Sequence, residues 1–588
     1  MSMPAQAHFE PTHERAVQLE EILHNIVPEL IKFVNDAEEE KTQHVTGRPG
    51  TPPTDLNTSL INPLSVRRES LENSLILNKF LTLDEEGSGA QGLQRFLQSL
   101  LKFSVNTSAP GFLDKLYAAP LPPGIAAELV LGVLNTNLHV YQVSPVLTLI
   151  EKHVTRAMAR MFGLSGPRSG GISVQGGSAS NMTSIVVARN TLFPETKVEG
   201  NGAVKGQLLL FTSAHGHYSI EKAAQALGFG SSSTIPVPVD ASGRMLASEL
   251  EKLVIEAKGL GKVPFYINAT AGSTVLGSFD PFGDIHKVAQ KHGLWLHVDG
   301  AWGGSFVFSS KPELKERLRG IEHADSVATN PHKMLGVPVT CSFLLAKDLR
   351  QFQDANTLKA GYLFHDDNDE TTQSGNISNS TASHPYDREH EDDWNEPYDL
   401  ADLTLQCGRR GDSLKFFFCW KYYGTCGYSK MIDAAYENAC RLSNLVDQTP
   451  DLTLVLAKGS APGCLQVCFY FTPGGRFVHG LLADSEEVDV HGGRGNLMDG
   501  QAMGKTRGAR VGKLNSQITL RMAKALISQG YMIDFAPALE GQEDRGSFFR
   551  VVVNISTAYE TLEGLIQELI ATGTSIIRMK AKDGSKGL

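Results

Sequence analysis

The 588-residue chain has no CxxC pair and no HExxH, and its seven cysteines (Cys341, Cys407, Cys419, Cys426, Cys440, Cys464 and Cys468) are irregularly spaced. This excludes the usual zinc-site spacings and a complete set of intramolecular disulfides, and it fits a reducing compartment. Positive charge is short too. With 54 Lys and Arg against 64 Asp and Glu, the net charge is −10, so no basic face advertises nucleic acid or an anionic membrane as a partner. No run reaches the roughly 18 apolar residues of a membrane span, and the opening MSMPA has no basic stretch leading into an apolar one. The expectation is a cytoplasmic protein that does not enter membranes.

What is present is a globular composition, 41% hydrophobic and 20% charged with 57 Gly and 27 Pro, which excludes collagen-like and wholly disordered chains. The length corresponds to about four domain-sized units. Residues 14–34 place Val17, Leu19, Ile22, Leu23, Ile26, Val27, Leu30, Ile31 and Val34 on a helical stripe, with Pro28 expected to kink or split it. GRPGTPPT at 47–54 reads as a connector, so the stripe is expected to be an arm packing elsewhere, on a second subunit. From about residue 125, helical patterns alternate with the apolar runs QLLLF, PFYIN and LWLHV, which points to an α/β core with a parallel sheet. Two stretches are expected to be loose. The first, 366–396, holds ten acidic residues and one Arg388, a net −9 by count; the second is Gly-rich 491–510. SFFRVVV then predicts a strand of a smaller C-terminal domain.

In such sheets ligands bind beyond the carboxyl ends of the strands, so the residues just after each apolar run matter most. QGGSASN, at 175–181, precedes a helical stretch and suits a phosphate, although Gly-Ser turns are also ordinary helix caps. Asp299 follows LWLHV and can hold a protonated ring nitrogen or simply cap a turn. Lys333 in NPHKM is bracketed by apolar residues; burial would lower its pKa and favour imine chemistry, whereas an ordinary surface lysine would do nothing.

The order of these features, with FTSAHGHYSIEKAAQALGFG, VPFYINATAGSTV, HVDGAWGGS, NPHKMLGV and LQCGRR, resembles the group II pyridoxal-phosphate-dependent amino acid decarboxylases, in their glutamate and cysteine sulfinate branch. The resemblance runs from about Ala109 to the C-terminal domain. It implies the fold-type I, aspartate-aminotransferase-like α/β architecture: a mainly parallel seven-stranded sheet with helices on both faces and a smaller α/β domain. The implied division is 1–131 as an N-terminal arm packing on a partner, 132–428 as the cofactor domain and 429–588 as the small domain.

It further implies pyridoxal 5'-phosphate as cofactor. Lys333 would form the Schiff base with its aldehyde, His217 would stack on one ring face and Ala301 would pack on the other. Asp299 would pair with the ring nitrogen. Ser178, Ala179, Ser180 and Asn330 would hold the phosphate, with Thr270 and His332 as neighbours. Arg550 would take the substrate α-carboxylate, and Tyr398, on a mobile loop reaching a second subunit, would protonate Cα; the acidic segment is inserted just before it. An obligate homodimer follows from that loop.

At the substrate end, Asn137 precedes His139, which stands where the family has an aromatic residue. Lys115 replaces a glutamine, and Gly300 an alanine. Extra positive charge there would suit an acidic amino acid: glutamate, aspartate or cysteine sulfinate. An aromatic or unusual amino acid, an aldehyde-forming outcome and a catalytically silent regulatory relative are the alternatives.

Overall fold

The computed structural model describes residues 14–46, 82–83, 85–358, 394–477 and 500–583. Among the described residues, twelve strands form two sheets. The small sheet begins early in the chain with β1 (Phe112–Leu113). The large one uses β2 (Gly170–Val174), β3 (Leu208–Ser213), β4 (Thr234–Val237), β5 (Val263–Thr270), β6 (Trp295–Gly300), β7 (Ser326–Thr329) and β8 (Ser342–Ala346), in the order β2-β8-β7-β6-β5-β3-β4. The neighbours from β4 through β3, β5 and β6 to β7 run parallel. β8 is antiparallel to both β7 and β2, so the sheet is mixed rather than wholly parallel.

The three apolar runs read from the sequence are β3, β5 and β6, and nearly all their residues are buried, as a sheet covered on both faces requires. Each fully buried Leu, Ile or Phe in this layer contributes about 1.5–3 kcal/mol. Register then places the site: Thr270 pairs with Asp299, and Gly300 with Thr329, so the carboxyl ends of β5, β6 and β7 open onto one edge.

The small sheet has the order β1-β11-β12-β10-β9, adding β9 (Leu452–Leu454), β10 (Gln466–Phe471), β11 (Met532–Ala536) and β12 (Phe548–Val552). β1 is parallel to β11, and the other pairs are antiparallel. The helix Ser413–Gln448 carries the chain from one sheet to the other, changing direction at Gly424, whose φ of 68° is non-helical.

Two local expectations change: the break at Pro28 and the loose stretch after 500. The helix Arg15–Thr46 runs unbroken through Pro28, and packs on the helices Gly89–Phe103 and Tyr559–Asp583 of its own chain while leaving Val17, Leu19, Leu30 and Ile31 exposed. One proline removes a single backbone bond, which a 32-residue helix can lose. The stretch 491–510 is helical from its tenth residue, since the helix Gly500–Ile527 begins there; its Gln, Ala, Met, Lys and Arg residues outweigh the glycines. Most of the acidic segment 366–396 lies outside the described residues, but its end is fixed. Trp394 Nε1 donates to Gln353 Oε1 at 2.7 Å, and Glu396 pairs with Lys152 at 3.1 Å and with Arg156. Among the described residues no helix is long and apolar enough to cross a membrane.

Candidate active site

A cavity of about 240 Å³ opens at the carboxyl edge of the large sheet, and Ser178, His217, Thr270, Asp299, Ala301, Asn330, His332 and Lys333 all line it. Residues spread over 156 positions of sequence therefore meet at one place, because each follows a strand or starts a helix there.

Asp299 is the best-supported group. Its Oδ2 accepts from Asn181 Nδ2 at 2.9 Å, and its Oδ1 from the Ala301 N–H at 3.1 Å. Burial pushes its carboxyl upward, but Lys333, the Asn181 hydrogen bond, His217 and His297 outweigh it and hold the group below the usual carboxylate range. It stays ionised.

Behind it the hydrogen-bond directions can be assigned. Asn181 spends both amide hydrogens, on Asp299 and on Ser219 Oγ at 2.9 Å, so its oxygen, 3.0 Å from His297 Nε2, must accept. His297 therefore carries its proton on Nε2. Its Nδ1 takes the Ser326 hydroxyl at 2.9 Å, which in turn accepts from Trp295 Nε1 at 3.0 Å. Burial drives His297 down to about 4, so the ring is neutral.

Lys333, in the cavity wall, has its pKa lowered by desolvation, with Asp299 opposing and Arg550 adding to the fall. A less protonated amine is a better nucleophile toward an aldehyde. His217 is likewise lowered by burial, and its Nδ1 accepts from the Ser219 N–H at 3.3 Å. His332, driven to about 4, is tied through Nδ1 to the Cys341 carbonyl at 2.8 Å.

Ser180 Oγ, Thr270 Oγ1 and Asn330 Oδ1 are buried without a hydrogen-bond partner among the described residues. Such atoms cost about 1–3 kcal/mol each unless a ligand satisfies them. The helix Gly177–Leu192 starts beside them, and Gly176 enters it at φ 92°. A Cβ on Gly177 would stand 3.0 Å from Asn330 Nδ2 and 3.4 Å from Ala301 Cβ, closing the cradle. The Ser180 and Thr270 hydroxyls can donate to a ligand oxygen, and with a helix N-terminus and a space kept open by glycine they fit a phosphate, while the ionised Asp299 and the lysine fit the rest of pyridoxal phosphate.

Arg550 stands on β12 outside the cavity lining. Its Nη1 donates to the carbonyl of Thr274, a lining residue, at 2.8 Å. Lys115 lies beside it. Tyr398 is 54% exposed, edge-on to Tyr141 with ring centroids 5.1 Å apart, and Lys152 Nζ sits 4.5 Å from its ring centre. Within one chain it is not brought to the cavity, nor is His139, a half-buried ring 3.4 Å from the Asn137 carbonyl. The loop holding both is pinned by Arg409: its N–H donates to Asn137 Oδ1 at 2.9 Å, and its guanidinium is paired with Glu151 at 2.8 Å, both side chains fully buried. Asn181, Asn137's partner Arg409 and Asp534 were not assigned roles from sequence. Asn181 lay inside the quoted QGGSASN, whereas Asp534 carries no motif.

Residues 81–382 and 380–472 match the pyridoxal-dependent decarboxylase conserved domain. An L-aspartate decarboxylase of Metarhizium robertsii is 42% identical over 564 residues, 96% of this chain and 98% of that protein. A glutamate decarboxylase-like protein of Gibberella zeae is 38% identical over 84% of this chain and 90% of its own length. The crystal structure of mouse CSAD superposes with a TM-score of 0.74 at 29% identity, covering 96% of this chain and 99% of that one. With the cradle, the lysine and the buried carboxylate in place, this chain belongs to the pyridoxal-dependent decarboxylases and is a pyridoxal-phosphate-dependent carboxy-lyase.

Proposed function

We propose that the chain removes the α-carboxylate of an acidic L-amino acid, releasing carbon dioxide and the corresponding amine. The observation that carries the acidic substrate is the convergence of two cations, Arg550 and Lys115, on Asp534, with Arg550 bonded to the carbonyl of Thr274 in the cavity wall. Bound pyridoxal phosphate supplies a ring that accepts the electron pair left at Cα when carbon dioxide departs.

The chain's residues do the rest. Lys333 would hold the cofactor aldehyde, Asp299 would keep the ring nitrogen protonated, and His217 and Ala301 would pack against the ring. Arg550 orients the α-carboxylate so that the scissile bond is held in place. Tyr398 delivers the proton to Cα from the neighbouring subunit, since its own cavity lies out of reach. A homodimer is supported by the apolar surface of the helix Pro122–Leu134, where Ile125, Leu129, Val130, Val133 and Leu134 are exposed. The division we propose is an N-terminal segment, 1–131, a large cofactor domain, 132–428, and a small domain, 429–588, with β1 of the first segment joining the small sheet. The unpaired cysteines suit a reducing compartment such as the cytosol.

The test is carbon dioxide and amine release from a panel of L-amino acids with added pyridoxal phosphate. Release from acidic substrates, abolished in Lys333→Ala, is expected. Release confined to aromatic or aliphatic substrates would sink the acidic assignment.

A further inference from the structure

Asp534 and Arg550 are directly opposed across β11 and β12, so their side chains leave the same face of the small sheet. Arg550 Nη2 donates to Asp534 Oδ2 at 2.5 Å, and Lys115 Nζ lies 3.6 Å from that same oxygen. Two cations from opposite ends of the chain thus converge on one carboxylate oxygen. β1 brings this about: Leu113 is registered against Ile533, which delivers Asp114 and Lys115 beside the next residue, Asp534.

The two cations are held differently. Arg550 is buried and pinned, through Nη1 to the Thr274 carbonyl at 2.8 Å and through Nη2 to the Asp114 carbonyl at 3.0 Å, while its buried Nε has no partner among the described residues. A buried guanidinium edge with an unspent donor is a receptor for a ligand oxygen. Lys115 is 44% exposed. One of its N–H groups is taken by Asp114 Oδ1 at 3.0 Å, and Asp534 is too far for a hydrogen bond, which leaves donors free among the described residues.

We infer that Asp534 is a specificity-determining positioning residue: by bridging Arg550 and Lys115 it fixes two adjacent cationic receptors whose spacing selects an amino acid with its second acid group one methylene from Cα over one with two. The inference rests on the proposed acidic-substrate reading and deepens it. With Arg550 unable to follow the ligand and Lys115 tethered at its side, a short dicarboxylate or sulfinate engages both cations in an extended conformation. A glutamate must fold its longer side chain back to do so, and loses rotamer freedom in the process.

The experiment uses the full-length holoenzyme and compares aspartate, cysteine sulfinate and glutamate in wild type, Asp534→Asn, Lys115→Gln and Lys115→Arg. Wild type should prefer the one-methylene acids by about tenfold or more in kcat/KM, a step of about 1.4 kcal/mol. Asp534→Asn should cut that preference at least about fivefold, through KM for the short acids rather than through kcat. Lys115→Gln should lose the preference and Lys115→Arg should restore part of it. A preference left unmoved by Asp534→Asn, a wild type that favours glutamate, or equal loss of kcat on all three acids would overturn the inference. If Asp534→Asn does not retain cofactor absorbance, the Lys115 pair decides by the same criterion. A wild type inactive on all three acids is a failure of the functional reading instead, visible before any variant is made.

Discussion

The cofactor end of the site and its substrate end are built in opposite ways. Around Asp299, the donors of Asn181 are spent, the proton on His297 is assigned and the side chains are buried; the chain Trp295, Ser326, His297, Asn181, Asp299 has one self-consistent direction. At Arg550 and Lys115, by contrast, donors remain free among the described residues, Asp534 is shared and Lys115 is half exposed. A cofactor that stays bound can be met by a network fixed in advance, whereas a substrate that enters and leaves needs groups with capacity in reserve.

Breaking the fixed end should cost most. Asp299→Asn removes the negative charge opposite the ring nitrogen, and kcat should fall by about 10²–10³, with substrate KM changed far less. Steady-state kinetics at saturating cofactor would check this; a loss confined to KM would mean the two ends are not separable as argued.

A smaller effect is expected one layer back. Asn181→Ala leaves Asp299 Oδ2 and His297 Nε2 without their partner, and cofactor affinity should weaken about 10- to 100-fold. Titration of apoprotein with pyridoxal phosphate, followed by absorbance, measures it. Unchanged affinity would show that the network merely fills space.

The smallest effect concerns stability. His297 and His332 fall from 6.5 to about 4 on folding, so between these values the unfolded chain binds more protons than the folded one. Their stabilisation is complete above pH 6.5 and is lost as pH falls toward 4. Asp280, raised by burial to about 7, acts in the opposite sense, its contribution present in acid and lost as pH rises through 7. The informative quantity is therefore a difference: the apparent melting temperature of His297→Gln should depend less on pH between 6.5 and 4 than that of the wild type.

The same contrast governs what could be read without coordinates. The cofactor residues follow apolar strands or open helices, so periodicity and the strand-end rule pointed to 175–181, Asp299 and Lys333 before any geometry was known. Asp534 had no such signal. It is one polar residue in MIDFA, and its meaning depends on β1, a strand of two residues pairing across more than four hundred positions. Pro28 and the glycines after 500 misled for a related reason, since local breakers were weighed without the long helices that tolerate them.

β1 also sets an order in time. Every residue facing the cofactor cavity has been synthesised once the ribosome passes Lys333, and the last strand of the large sheet follows at Ser342–Ala346. Lys115, although made early, waits for β11 to pair with its strand, and Arg550 emerges near the end. The growing chain can thus complete its cofactor cradle well before it can recognise a substrate, and its specificity is assembled last.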